Sequence, residues 1–176
     1  MAFEHKVKAL PYEYNSLKGI SEQVNKWHHD KHYAGYVAKR NEIEKKLETI
    51  DLTAANANFS EYGELKRRET FNAAGQYLHE IYYDIMGGKG IIEGDIVKHI
   101  EKDFGSIEKW KADFIAAAKT SLGWTVFCWD PSDNRLHNFT GDSHNMGMGW
   151  GCVPIIPIDT FEHAYYFDYG PDRPTY

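Results

Sequence analysis

The sequence predicts an α+β fold: an N-terminal antiparallel helical hairpin, then a C-terminal lobe with a three-stranded antiparallel sheet and helices. Three observations carry that reading. No proline interrupts the chain from Ser21 to about Ile50, and apolar residues recur at helical spacing between Phe71 and Ile85. A short loop of small and polar residues, Asp51 to Asn58, joins the two stretches, as neighbouring antiparallel helices require. The second half instead carries short aromatic and β-branched runs separated by turn residues.

Each element has its own signal. Ser21, after Gly19-Ile20, offers an N-cap for the first helix, and Ile43 and Leu47 keep an apolar spacing of four near its charged end. The second helix starts near Ser60, where Asn58 and Glu61 have capping-box spacing. Phe71, Ala74, Leu78, Ile81 and Ile85 follow its period, and Gly87-Gly88 end it as C-caps do. Two shorter helices are expected over Gly94 to Phe104 and Ser106 to Lys119, the second capped by Ser106. Trp124 to Trp129 reads as a strand, Asp130 to Asn134 as a turn, and Arg135 to Thr140 as the returning strand. Val153 to Ile158 is a third strand, made irregular or an edge by Pro154 and Pro157. The lobes are residues 1–88, the helical hairpin, and residues 89–176, the α/β part, with a metal site expected between them.

Composition excludes more than it selects. A chain of 176 residues is one domain or two small lobes sharing a core. A net charge of −6 gives no general reason to bind nucleic acid or an acidic membrane. Cys128 and Cys152 form neither a CxxC motif nor a disulfide framework. There is no apolar signal-peptide core and no run long enough to span a membrane, so a reducing cytoplasm is the expected setting.

Nine histidines make metal chemistry worth testing position by position. Asp159 and His163 stand four apart and share one face of a helical turn. His28, His32 and Tyr36 form one stripe at i, i+4 and i+8, which leaves His29 pointing elsewhere and expected to be exposed. His79, one turn after Gly75 and one turn before Tyr83, has small and aromatic neighbours and is expected to face inward. Taken singly, each histidine fits a core residue bonded to a carbonyl, and the Asp159–His163 pair fits a capped turn. Taken together, three separated elements each offer an imidazole or a carboxylate. Three nitrogens and one oxygen leave a position open, which is the layout of a catalytic site. Imidazole suits zinc, iron, copper and nickel, and carboxylate suits manganese, so ligand identity alone selects neither metal nor reaction.

The motifs that carry these residues resemble the iron/manganese superoxide dismutase family. Leu10 to Leu17 with Gly19-Ile20-Ser21 is similar to that family's N-terminal signature. His28 to Tyr36 resembles its first ligand helix, Phe71 to His79 its second, and Gly123-Trp124-Thr125 the start of its first strand. Asp159-Thr160-Phe161-Glu162-His163-Ala164-Tyr165-Tyr166 resembles its D-x-[WF]-E-H-A-Y-Y signature, the most specific of the set. The resemblance implies disproportionation of superoxide to oxygen and hydrogen peroxide by one manganese (favoured) or iron ion per subunit, with a bound water or hydroxide. It makes His28, His79, Asp159 and His163 the metal ligands. Tyr36, with His32 beside it, would stand at the substrate funnel. Trp124 and Phe161 would wall the site, with Tyr83 where the family usually has tryptophan. Glu162 would cross a homodimer interface to the partner's ligand histidine, and Tyr166 would reach the other subunit's counterpart of His32; a tetramer is the alternative assembly. Lys31 and Arg173 occupy family positions near the substrate entrance, where they would focus an anionic substrate.

The family also has a donor to the bound solvent, usually glutamine. Iron-type members mostly place it one turn before the second ligand, whereas manganese-type members have glycine there and supply it from the sheet region. Here Gly75 fills the helix position and His144 falls where the alternative donor is expected. Members of this histidine subset include manganese-specific, iron-specific and dual forms. Gln76 is one residue out of register for the role. Other departures are Phe161 for the more usual tryptophan, Tyr33 for a frequent second histidine, and a glycine-rich stretch, Asn145 to Gly151. The family continues beyond Tyr-x-x-x-Arg-Pro-x-Tyr into C-terminal helices, whereas this sequence stops at Tyr176. Its exposed apolar surface is then expected to be covered differently or used for association. Two rival readings remain: an inactive binding protein on the same fold, which the complete ligand set opposes, and a hydrolase using a bound hydroxide, which would carry zinc.

Overall fold

The computed structural model describes residues 3–176. Ser21 caps the first helix as expected, its hydroxyl accepting the Val24 N–H at 3.2 Å. The helix is not regular, however. Helix α1, Glu22–Trp27, passes into a π-helical segment, His28–Tyr33, and resumes as α2, Ala34–Leu47. A wider turn changes the angular spacing of side chains, and such segments occur often at functional sites. Its effect here is to bury His28, His29 and Tyr33 together. The expected exposure of His29 is therefore wrong: the imidazole is buried, with Nε2 2.8 Å from the Lys8 carbonyl.

Helix α3, Glu61–Asp84, returns antiparallel to α2. Its cap is Ser60, whose hydroxyl accepts the Gly63 N–H at 3.1 Å, and not the expected Asn58–Glu61 box. Asn56 accounts for the difference, because its side-chain oxygen accepts the N–H groups of Asn58 and Phe59 and folds the loop one step short of the helix. The buried face of α3 is Asn72, Gly75, Gln76, Leu78, His79, Tyr82 and Tyr83. Of the apolar series expected there, only Leu78 is fully buried, and Ile85 lies outside the helix and is exposed. Polar and small residues take the inward positions because this face builds a site.

Helices α4, Asp95–Phe104, and α5, Ile107–Thr120, follow, with Ser106 capping α5 through the Lys109 N–H. The antiparallel sheet has the order β2-β1-β3, with β1 Trp124–Asp130, β2 Arg135–Gly141 and β3 Val153–Asp159. Strand β3 is an edge, and its register with β1 slips between Phe127 and Cys128, at the proline-bearing stretch. Alternation along β1 sends Trp124, Val126 and Cys128 into a core shared with Tyr33, Val37, Leu78, Tyr82 and Tyr83. Phe127 points the other way, into a second core with Ile100, Trp110 and Leu136. The sheet is thus covered on both faces, and the end of β1 carrying Trp124 meets the helical hairpin.

A short turn, Glu162–Ala164, and the helical turn α6, Tyr166–Tyr169, follow β3. No described helix is long and apolar enough to cross a membrane.

Candidate metal centre

Four elements converge where the hairpin meets the sheet. The π-helical segment supplies His28, α3 supplies His79, the last residue of β3 is Asp159, and the following turn supplies His163. One donor atom from each lies within 4.8 Å of every other. His28 Nε2 is 3.0 Å from both His79 Nε2 and Asp159 Oδ2, and His163 Nε2 is 3.1 Å from the same carboxylate oxygen. His79 and Asp159 are completely buried, and His163 retains some exposure.

Surrounding groups fix the donors. His79 Nδ1 donates to the Gly75 carbonyl at 2.6 Å. A carbonyl only accepts, so Nδ1 carries a proton and Nε2 is the ring nitrogen that faces the centre. Asp159 Oδ1 accepts the Phe161 N–H at 2.9 Å, which turns Oδ2 inward, and its own carbonyl accepts the Tyr176 hydroxyl at 3.0 Å. Burial would raise the Asp159 carboxyl, but hydrogen bonding to His163, His28 and His79 holds it well below the usual carboxylate range. Burial pushes the His28 imidazole down to about 3. Asp159 is therefore an ionised carboxylate beside a neutral His28 imidazole. The Nε2 atoms of the three imidazoles crowd one carboxylate oxygen, at 3.0 Å for His28, 3.1 Å for His163 and 3.4 Å for His79. A cation among the four satisfies all of them, so the residues fit a mononuclear metal with N₃O ligation.

The remaining expected residues fall into three groups around this centre. Tyr36 and His144 close one side: the Tyr36 ring lies 5.2 Å from His79 and 4.5 Å from His144. Burial raises the Tyr36 phenol well above its ordinary value, so it stays protonated. His144 Nδ1 accepts the Trp124 indole N–H at 2.9 Å. Indole nitrogen only donates, so a neutral His144 carries its proton on Nε2. Burial, followed by the influence of His79, takes His144 down to about 4 and keeps it neutral. Gly75 makes room for it, since a Cβ there would stand 3.0 Å from Tyr36 Cγ and 3.2 Å from His144 Cδ2. Gln76 points away, as its register implies, and donates to Glu80 at 2.9 Å.

Trp124 and Phe161 form a wall, with ring centroids 5.1 Å from His79 and 5.6 Å from His163 respectively. Tyr83 packs 5.7 Å from His28. His32 stacks on His163 at 4.0 Å, and burial lowers its imidazole to about 4.

The third group lies outside. Glu162, Tyr166, Lys31 and His32 line an open depression with Trp27, His163 and Phe167. Glu162 and Tyr166 are exposed, and Glu162 forms no ion pair among the described residues. Arg173 is held by two hydrogen bonds. It donates through Nε to the Tyr165 hydroxyl at 3.1 Å and through Nη1 to the Ser121 carbonyl at 2.7 Å. Its guanidinium is committed to bracing the segment after Asp159, and Lys31 is the one of the expected pair that lines the depression beside His32.

Sequence reasoning missed two supports of the centre: Tyr33, stacked 6.2 Å from His79, and Tyr176, the hydrogen-bond donor to Asp159. Aromatic identity was a signal for both, but neither spacing nor polarity distinguished them from other buried tyrosines.

Comparison with known proteins gives the same outline. Residues 4–87 match the model of the iron/manganese superoxide dismutases, alpha-hairpin domain, and residues 92–176 match that of the iron/manganese superoxide dismutases, C-terminal domain. A manganese superoxide dismutase of Haloarcula marismortui is 42% identical over 167 residues, covering 93% of this chain and 81% of that protein. An iron superoxide dismutase of Aquifex pyrophilus is 43% identical over 166 residues, covering 92% of this chain and 78% of its own. A second manganese enzyme, from Halobacterium salinarum, is 40% identical over 174 residues, covering 97% of this chain and 85% of that protein.

Proposed function

The chain belongs to the iron/manganese superoxide dismutase family, and from that premise we propose that manganese works in its His28–His79–Asp159–His163 centre, with iron as the alternative, in a homodimer. The activity is superoxide dismutation: two superoxide ions and two protons give one oxygen and one hydrogen peroxide. When bound, the ion supplies a one-electron couple between divalent and trivalent states, which zinc does not have.

The chain's residues supply the rest. Three imidazoles and one carboxylate hold the ion, and the Gly75 carbonyl and Phe161 N–H keep two of them aimed. The Trp124–His144 hydrogen bond leaves Nε2–H of His144 as a donor to solvent in the centre, the role of the family's glutamine. Tyr36 and His32 flank the way in, and Trp124 and Phe161 exclude bulk water. Lys31 draws the anion toward this side, while Arg173 positions Tyr165 and the segment after Asp159. Residues 1–88 and 89–176 act as the two lobes that clamp the ion.

The choice of manganese rests on Gly75 and His144. The relatives do not decide it, since manganese and iron enzymes are equally similar to this chain. The homodimer is supported by Glu162 and Tyr166, which lie open beside the partly exposed ligand His163. A second copy about a twofold axis would bring Glu162 of each subunit to His163 of the other. The free thiols Cys128 and Cys152 suit a reducing cytoplasm, where the enzyme would serve as an antioxidant.

The observation that carries this reading is the convergence of three imidazole nitrogens and one carboxylate oxygen within 4.8 Å of one another. It is tested at its least conventional member. His144→Ala is expected to keep its metal and lose about 10- to 100-fold in superoxide turnover per metal ion. Stopped-flow decay of superoxide with metal analysis of the same sample measures both, and an undiminished rate per ion would remove His144 from the mechanism.

A further inference from the structure

One other group of metal-ligating side chains converges among the described residues, at the tip of the β1–β2 hairpin. Asp130 ends β1, Asp133 sits in the turn and His137 lies on β2, and one donor atom of each lies within 4.8 Å of the others. His137 Nε2 is 2.9 Å from Asp133 Oδ2.

The three are pre-aimed. The Ser132 N–H donates to Asp130 Oδ1 at 2.8 Å and the Arg135 N–H to Asp133 Oδ1 at 3.0 Å, and the second oxygen of Asp133 faces His137. The His137 ring stacks on Phe139 at 4.9 Å and 11°, fixing its plane. Charge is not balanced by protein: neither carboxylate pairs with a lysine or arginine among the described residues. Arg135, the nearest cation along the chain, is turned to Asp103, with Nε 3.4 Å from Oδ1 and Nη2 donating to the carbonyl at 3.3 Å.

We propose that Asp130, Asp133 and His137 bind a divalent zinc-class ion, separate from the catalytic centre. An imidazole with two carboxylates favours a first-row transition ion over calcium or magnesium, and three protein donors leave a tetrahedral position for water. The site is remote from the redox chemistry. Asp130 stands at the opposite end of β1 from Trp124, about 20 Å away at roughly 3.3 Å per residue. The ion would staple the end of β1 to β2 and would take no part in turnover. Metal ligation needs an unprotonated imidazole nitrogen and ionised carboxylates, so binding weakens on acidification.

Manganese-loaded enzyme, incubated with zinc chloride and freed of unbound ion by gel filtration, is analysed for both metals. Wild type is expected to carry about one zinc per chain in addition to an unchanged manganese content. Asp133→Asn and His137→Gln are expected to carry almost no zinc, while their manganese content and dismutase activity match wild type and report intact folding. No zinc on wild type, zinc gained only by loss of manganese, or zinc retained by both variants would each overturn the proposal. The wild-type stoichiometry decides it even if a variant fails to fold.

Discussion

Replacing His79 with alanine is expected to abolish metal retention and superoxide turnover together. The effect is expected to be the largest of any single substitution because His79 joins three roles. Its Nε2 is one of four donors, its Nδ1 ties the centre to the Gly75 carbonyl, and its ring fills fully buried space between Tyr33, Tyr36 and Trp124. Removing it leaves Asp159 as a completely buried carboxylate with one fewer partner, which is costly without a cation held in place. Metal content by mass spectrometry, turnover by superoxide decay and helix content by circular dichroism are read on one preparation. Folded protein that kept both metal and activity would mean that the ligand set is misassigned.

Metal removal is expected to be the second large effect. The native centre binds the ion and the unfolded chain has no preformed counterpart, so the binding energy becomes folding energy. With free ion at about a thousand times its dissociation constant the gain is about 4 kcal/mol. For a chain of this size, that corresponds to a thermal midpoint about 10 °C higher in the metal-loaded protein. Calorimetry of metal-free and reloaded samples at equal protein concentration checks it. A difference within about 2 °C would show that the four donors are held by the fold without need of an ion.

Much of the site could be read from residue spacing because its elements are regular where it matters. His79 lies on an uninterrupted helix one turn from Gly75, as its spacing suggested, whereas Asp159 and His163 meet across a strand end and the turn after it and not on one helical face as expected. The strands were legible from Trp124 to Trp129 and from the turn Asp130 to Asn134, where β-branched, aromatic and turn residues agree. The π-helical segment was not. It shifts hydrogen bonds by one residue without needing any distinctive side chain, and so His29 was expected in solvent and lies inside against the Lys8 carbonyl. The Asn58 cap failed for a related reason, since Asn56 competes for the same backbone N–H groups. The hydrogen bonds of Arg173 to Tyr165 and Ser121 could not be read from its position in the chain, because local spacing does not encode contacts with residues distant along it.

The most direct measurement is superoxide decay catalysed by metal-free protein reloaded separately with manganese, iron and zinc, each normalised to bound metal. Catalysed decay with manganese and with iron, faster with manganese, and none above background with zinc is the predicted result. Manganese and iron forms as inert as the zinc form, with the ion bound at His28, His79, Asp159 and His163, would contradict a redox role for this centre.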